Sequence, residues 1–181
     1  MDNFACQYQP HKSLAELKIR SKIMLKSANQ NNPGTIELFS RNGVAAGPYK
    51  HKDGLKLVSQ WAGFKNWQHA SHVLSGSSQI GEDMGTLWYT RRCQVFLNIW
   101  CRDYDEAKKQ HLLHPGKYIV PFKTQFIIVD DDYMKALGIK MDMSDFDTNE
   151  EGNLAGQYGT KNWDNYTFSR IQFALGNTVS F

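Results

Sequence analysis

The sequence predicts an α+β fold, with about four short helices in the N-terminal region followed by a small, mostly antiparallel sheet flanked by helices. Three observations predict this fold. Apolar residues recur at helical spacing up to about residue 75, a Gly- and Ser-rich segment follows at 76–85, and short apolar runs typical of strands come after it. With 181 residues the chain suffices for one ordinary domain or two small ones. We therefore expect a basic helical region at 1–75, a linker or surface loop at 76–85, and an acidic mixed α/β region at 86–181.

The first two helices of the N-terminal region have recognisable start and end signals. Ser13 and Glu16 have the spacing of a capping box, which predicts a helix from Ser13 to about Ala28. The polar run that follows ends this helix. A second, short helix is predicted from about Thr35 to Arg41.

Two further helices are predicted between residues 50 and 75, with Gly63 at the turn between them. The first would span about 53–62, with Asp53 as its N-cap. Asn66 would cap the second, which would end near Leu74. This pattern is typical of a compact unit of two helices joined by a tight turn.

Strand and helix signals mix in the region after residue 85. Alternating side chains predict one long strand at 93–101, and a hairpin is predicted from strands at 117–121 and 125–130. Helix signals surround these strands, and the predicted helices begin near Asp103, at Asp131 or Asp132, and at Asn165.

The two halves of the chain differ in charge. Residues 1–75 contain 10 Lys/Arg and 4 Asp/Glu, which gives +6, whereas residues 76–181 contain 11 and 14, which gives −3. A basic module beside an acidic region is typical of a protein that contacts nucleic acid through its basic half. The charge division therefore favours a nucleic-acid partner.

Location is predicted from what the sequence lacks. The first twenty residues have no apolar signal-peptide core, and the apolar runs are far shorter than a membrane span. Cys6, Cys93 and Cys101 lack the CxxC spacing of a zinc site and are odd in number. We expect a cytoplasmic protein with reduced, packing cysteines and no membrane partner.

Two resemblances concern residues 50–75. The closer one is to a helical Gly-Phe-x-x-Trp module of uncharacterised bacterial proteins, including N-terminal extensions of glyoxalase-related proteins, and rests on Lys50, His51, Lys52, Leu55, Leu57, Val58, Gly63, Phe64, Trp67 and Leu74. More loosely, the order Val58, Gly63-Phe64 and 70–74 resembles the second helix-turn-helix of AraC-type regulators. Residues 94–139 resemble a β-α-β-β segment of small uncharacterised bacterial proteins. The resemblances imply a bacterial or mobile-element protein, and the AraC-type one implies DNA contact.

A helix that enters the major groove presents its N-terminal side chains to the bases. The side chains available at the predicted second helix are Lys65, Asn66, Gln68, His69 and His72. Asn and Gln pair with adenine, while Lys contacts phosphate or guanine. At the start of the preceding helix, Lys50, His51 and Lys52 would suit contacts to the nucleic-acid backbone.

Two other function classes remain open. An interaction or adaptor module, or a self-associating protein, would use an aromatic sheet surface made of Trp88, Tyr89, Trp100, Phe122 and Phe126. A small enzyme would use the carboxylates of Asp130–Asp132 to hold a divalent metal. The sequence contains no GxSxG, P-loop or GxGxxG motif and no spacing typical of metal ligands, so we predict no catalytic residue, cofactor or metal ligand.

Overall fold

The computed structural model describes residues 12–147 and 150–176 and has the predicted α+β architecture, with a helical N-terminal region. Its helices are α1 Lys12–Asn29, α2 Pro33–Arg41, α3 His51–Trp61, α4 Trp67–Leu74, α5 Tyr104–Leu112, α6 Asp131–Ala136 and α7 Lys161–Gly176. Its strands are β1 Ile99–Cys101, β2 Tyr118–Phe122 and β3 Gln125–Val129. They form one antiparallel sheet in the order β1-β3-β2.

The predicted hairpin is confirmed in β2 and β3. Tyr118 pairs with Val129 at one end and Phe122 with Gln125 at the other. Lys123, in the turn, has a positive φ of 53°. Most side chains of both strands are buried, because α5 packs on one face and the helical core on the other. The hairpin is therefore the centre of the C-terminal region.

The prediction of one long strand at 93–101 is wrong. Residues Arg91–Val95 form a 3₁₀ helix, and strand geometry is confined to Ile99–Cys101. The pairing of Ile99 with Ile128 would place residue 97 opposite Asp130 if it continued. Asp130 caps α6 by accepting a hydrogen bond from the Tyr133 N–H, so β3 ends before this residue. Residues before Ile99 therefore have no partner strand with which to pair.

The predicted capping box at the start of α1 is also wrong. The helix begins at Lys12, and its first N–H groups donate to a carboxylate from α7: Lys12 N to Asp164 Oδ2 and Ser13 N to Asp164 Oδ1, both at 3.1 Å. The Ser13 hydroxyl also donates to this carboxylate, at 2.6 Å. Glu16 instead pairs with Arg20, at 2.8 Å. A distant residue therefore caps the helix.

The helical half is held together by close helix crossings. A Cβ atom at Gly54 of α3 would lie 2.6 Å from Ser21 Oγ and 2.9 Å from Leu25 Cγ of α1, so α1 and α3 approach more closely there than a side chain permits. The main hydrophobic cluster contains Leu17 and Leu57 from this half and also Trp88 and Trp163 from the other. One core thus contains residues of both regions.

Segment 76–85 is hydrogen-bonded to both regions, and its Ser77 N–H donates to the His72 carbonyl of α4 at 3.1 Å. The Met84 N–H donates to the Lys123 carbonyl at 3.0 Å, and the Lys123 N–H donates to the Gly85 carbonyl at 2.7 Å. The Ser78 N–H donates to the Tyr158 hydroxyl at 3.0 Å. These contacts place the acidic residues of the segment beside α4.

No helix in the described parts of the chain is long and apolar enough to span a membrane. Cys93 and Cys101 are buried free thiols. The third cysteine, Cys6, lies outside the described residues.

Candidate nucleic-acid interface

The two helices predicted around Gly63 are present as α3 and α4. Gly63 has a φ of +94°, and its carbonyl accepts a hydrogen bond from the Thr86 N–H at 2.8 Å. Asn66 caps α4, because its Oδ1 accepts a hydrogen bond from the His69 N–H at 2.9 Å. The turn therefore fixes the position of the first residues of α4 relative to α3 and to residue 86.

Three of the eight predicted contact residues face two acidic side chains of segment 76–85. Lys65 Nζ lies 2.7 Å from Asp83 Oδ2, and His72 Nε2 lies 3.6 Å from Glu82 Oε2. Burial raises the pKa of Asp83, but the hydrogen bonds that its carboxylate accepts from Lys65 and from the Gly85 N–H outweigh it, so the net pKa is below the usual value. Asp83 is therefore ionised at neutral pH and offsets the charge of Lys65.

The His69 ring is used for structure. Its Nδ1 accepts a hydrogen bond from the Lys65 N–H at 3.1 Å, and its Nε2 lies 2.6 Å from the Asp83 carbonyl oxygen. Because Nδ1 is an acceptor, Nε2 carries the proton and donates to that carbonyl. The ring also packs edge-on against Phe64. His69 thus joins α4 to segment 76–85.

The other predicted residues are exposed, and three of them share one groove. This groove lies between the start of α3 and the start of α4 and has a volume of ≈ 410 Å³. Its exposed polar lining consists of Lys52, Lys56, Asn66 and Gln68. Among the described residues, neither lysine forms an ion pair. We call this the α3–α4 groove.

Two further residues that line the α3–α4 groove are Asp53, which affects its charge, and Trp67, which affects its shape. The prediction of Asp53 as the N-cap of α3 is wrong, because the N-cap is Lys50 and Asp53 lies in the first turn, where its carboxylate accepts a hydrogen bond from the Lys50 N–H at 2.8 Å. Trp67 is half-buried, and Lys18 Nζ of α1 lies 5.8 Å from the centre of its ring. Lys18 therefore adds a third exposed cation beside the groove.

A second, polar groove continues from the first along α4. It has a volume of ≈ 370 Å³ and shares Trp67 and Gln68 with the α3–α4 groove. Ser71, His72, Ser75 and Ser77 line the remainder. The two grooves together form a track in which cations lie at one end and hydroxyl groups at the other.

Lys50 and His51 are exposed at the start of α3, outside the lining of the α3–α4 groove. Sequence reasoning missed Lys56 and Lys18 as contact residues. The spacing of Lys52 and Lys56 was a usable signal, because residues four apart lie on the same face of a helix. No sequence signal relates Lys18 to Trp67, which comes from another helix.

The aromatic surface predicted for a protein partner is only partly a surface. Trp88 and Phe126 are buried in the two hydrophobic clusters. Tyr89, Trp100 and Phe122 do form a group, with ring centroids 5.1 to 6.1 Å apart. Alternation along the chain could not distinguish the two sets, because β2 and β3 are covered on both faces.

The three carboxylates predicted for a metal enzyme point to different partners. Asp130 caps α6, Asp131 accepts a hydrogen bond from the Tyr118 hydroxyl at 2.7 Å, and Asp132 pairs with Lys135 at 2.9 Å. Within residues 12–147 and 150–176, no three His, Cys, Asp or Glu side chains are grouped so that they could hold a metal ion. The carboxylates thus have structural contacts and do not converge.

Comparison with known proteins gives no relative for this arrangement: no family model, no curated protein and no solved structure matches the chain.

Proposed function

We propose that this protein binds nucleic acid through the α3–α4 groove. The main observation that supports the proposal is that four exposed polar side chains lie along one groove: Lys52, Lys56, Asn66 and Gln68. Lys65, His69 and His72 are excluded from the contact set, because Glu82 and Asp83 face them. The proposed contact surface is therefore the α3–α4 groove, which is smaller than the surface that the sequence predicted.

The lysines and the amides of the groove would contact different parts of a nucleic acid. Lys52 and Lys56 are four residues apart on α3, so their ammonium groups can neutralise neighbouring phosphates of one strand. Gln68 and the Nδ2 group of Asn66 can donate to base edges, although the Oδ1 of Asn66 is occupied by the cap. Lys18 supplies a further phosphate contact beside Trp67. The lysines would provide affinity and the amides would provide any base preference.

The proposal predicts binding that weakens steeply with salt. If Lys18, Lys52 and Lys56 each neutralise one phosphate, the affinity for duplex DNA should fall roughly 40-fold between ~50 and ~200 mM salt. Fluorescence polarisation with labelled random-sequence duplex and single-stranded DNA measures this. The matched control is Lys109→Ala plus Lys140→Ala, which removes two exposed charges from the acidic half and should leave the affinity and salt dependence unchanged. Absence of binding to both DNA forms at ~50 mM salt would contradict the proposal for generic DNA.

Self-association is a second candidate function, favoured by one observation at the sheet edge. Val95 and Leu97 are 82% and 94% exposed and directly precede β1. Among the described strands, β1 pairs only with β3, so its outer edge is open. An open strand edge can pair with the same edge of a second copy about a two-fold axis, which would cover both apolar side chains.

Sedimentation velocity over a range of protein concentrations tests this second candidate. We expect a dimer that Leu97→Asp abolishes, since a charge would be buried at the new interface. Leu112→Asp is the matched control, because Leu112 is 81% exposed and lies on α5. A monomer at every concentration, or equal effects of the two variants, would contradict self-association through β1.

The proposal includes a cytoplasmic location. The two buried free thiols of Cys93 and Cys101 support it, because thiols persist unpaired in a reducing compartment.

A further inference from the structure

Another cavity, distinct from the two grooves, lies at the C-terminal end of α3. It is an open cavity with a volume of ≈ 430 Å³, and it is lined by the end of α3, residues 86–92, the end of α6 and α7. Trp61 lines it, whereas Lys52 lines the α3–α4 groove. Trp61 follows Lys52 by nine positions, which corresponds to about 14 Å of helix. The cavity is therefore separate from the proposed nucleic-acid contact.

Arg170 of α7 lines this cavity and is a buried cation. Its side chain is almost inaccessible, with the residue 4% exposed. Nε donates to the Leu87 carbonyl at 2.8 Å, and Nη1 donates to the Leu137 carbonyl at 3.2 Å. No carboxylate in the described parts of the chain forms an ion pair with it. Buried charges are normally paired, and among the described residues no anion balances this one.

Burial lowers the pKa of Arg170 to about 10, which still leaves the guanidinium protonated at neutral pH. The two carbonyl oxygens use two of its five N–H donors. A cation in this state can accept an anionic ligand without losing its present hydrogen bonds.

Two more guanidinium groups belong to the same cavity. Arg91 and Arg92 are exposed and line it from the 3₁₀ helix Arg91–Val95. Among the described residues that line the cavity there is no Asp or Glu, and the sequence from 84 to 102 contains none either. Three positive side chains therefore share this cavity, and no described carboxylate in its lining opposes them. Guanidinium groups bind phosphate in a bidentate manner, which favours a phosphate over a smaller or singly charged anion.

Aromatic side chains line the same cavity. Trp61 and Tyr89 are half-buried there, and Phe173 lies beside Arg170, whose guanidinium carbon is 6.0 Å from its ring centre. Thr90 and Gln60 add polar groups. A site with aromatic walls and a few convergent polar groups is typical of small-molecule binding. The volume and the aromatic faces suit a planar ring attached to the anion.

We infer that this cavity binds a nucleoside monophosphate, with its phosphate on the guanidinium groups of Arg91, Arg92 and Arg170 and its planar base against Trp61 and Tyr89. The inference does not depend on nucleic-acid binding in the α3–α4 groove. It assigns a role to a buried arginine and to an unopposed Arg-Arg pair that the proposed function does not use.

Isothermal titration calorimetry of the full chain with AMP tests the inference, with adenosine and inorganic phosphate as partial ligands. We expect saturable binding of AMP with a Kd below ~1 mM, and weaker binding of each partial ligand. Arg91→Ala plus Arg92→Ala should weaken AMP binding at least ~10-fold, because two charge-assisted contacts are lost. Both arginines are exposed, so circular dichroism should show an unchanged fold for this variant. Trp61→Ala should weaken AMP binding without weakening phosphate binding.

The matched control is Lys52→Ala plus Lys56→Ala, which removes two charges at the other end of α3 and should leave AMP binding unchanged. Failure of AMP to bind at millimolar concentration would overturn the inference. Equal loss of AMP binding in the control and in the arginine variant would overturn the assignment of the cavity. Phosphate binding as tight as AMP binding would overturn the role of Trp61 and Tyr89 as a base platform.

Discussion

Replacing Gly63 with alanine is expected to lower the free energy of unfolding by about 3 kcal/mol, from left-handed backbone strain together with overpacking. The φ of Gly63 is +94°, where a Cβ atom is strained. That Cβ would also lie 2.7 Å from Thr86 Oγ1 and 2.8 Å from the Leu87 nitrogen. The Leu87 nitrogen is a backbone atom and cannot rotate away as a side chain can, so the substitution would push residues 86–87 away from the end of α3.

Equilibrium unfolding in urea measures this loss, and Gly43→Ala is the matched control. Gly43 also has a positive φ, of +70°, but a Cβ atom there would meet nothing within 4 Å. The control should therefore lose only about 1 kcal/mol. Equal losses at the two positions would show that the close approach between Gly63 and residues 86–87 does not contribute to stability.

Replacing Asp164 with alanine is expected to cost about 3 kcal/mol, because buried donors left without an acceptor are expensive. The carboxylate is buried and accepts hydrogen bonds from Lys12 N, Ser13 N and Ser13 Oγ. These bonds cap α1 and join it to α7. The variant should unfold at lower urea concentration, and hydrogen exchange should show the first turn of α1 opening more readily.

Asp103→Ala is the control for this second prediction. Asp103 caps α5 by accepting a hydrogen bond from the Glu106 N–H at 2.9 Å, and it is partly exposed. Loss of such a local cap typically costs about 1 kcal/mol. A cost at Asp164 no greater than at Asp103 would contradict the role of Asp164 as a link between α1 and α7.

The structure confirms the fold elements whose signals lie within a few residues. Asn66 and Asp103 cap helices that start directly after them, and the hairpin follows from two short apolar runs around a turn. The wrong predictions depend on distant residues. Asp164 displaces the capping box of Ser13, and the start of α6 ends the strand that would have paired with residues 93–98. The sequence around Ser13 does not show the contact with Asp164, and the sequence around residues 93–98 does not show that their partner strand ends.

The same distinction applies to the candidate site. The sequence indicated the basic character of residues 50–75, and Lys52, Asn66 and Gln68 do line one groove. It could not show that Glu82 and Asp83 face Lys65, His69 and His72, because segment 76–85 has no periodicity from which a contact could be inferred. The cavity of Arg170 was missed for a similar reason. Its one sequence signal is the stretch 84–102, which contains Arg91 and Arg92 but no acidic residue.

A DNA titration of two double variants tests whether the α3–α4 groove is the nucleic-acid contact. Lys52→Ala plus Lys56→Ala removes the cations of the α3–α4 groove, while Lys65→Ala plus His72→Ala removes side chains that face acidic partners. We expect the first variant to bind DNA at least ~10-fold more weakly at ~50 mM salt, with the slope of log K against log salt less steep by about 2. The second should stay within about 3-fold of the unmodified protein, since charges already neutralised by neighbours contribute little. Loss of binding in the second variant with retention in the first would contradict the assignment of the contact to the α3–α4 groove.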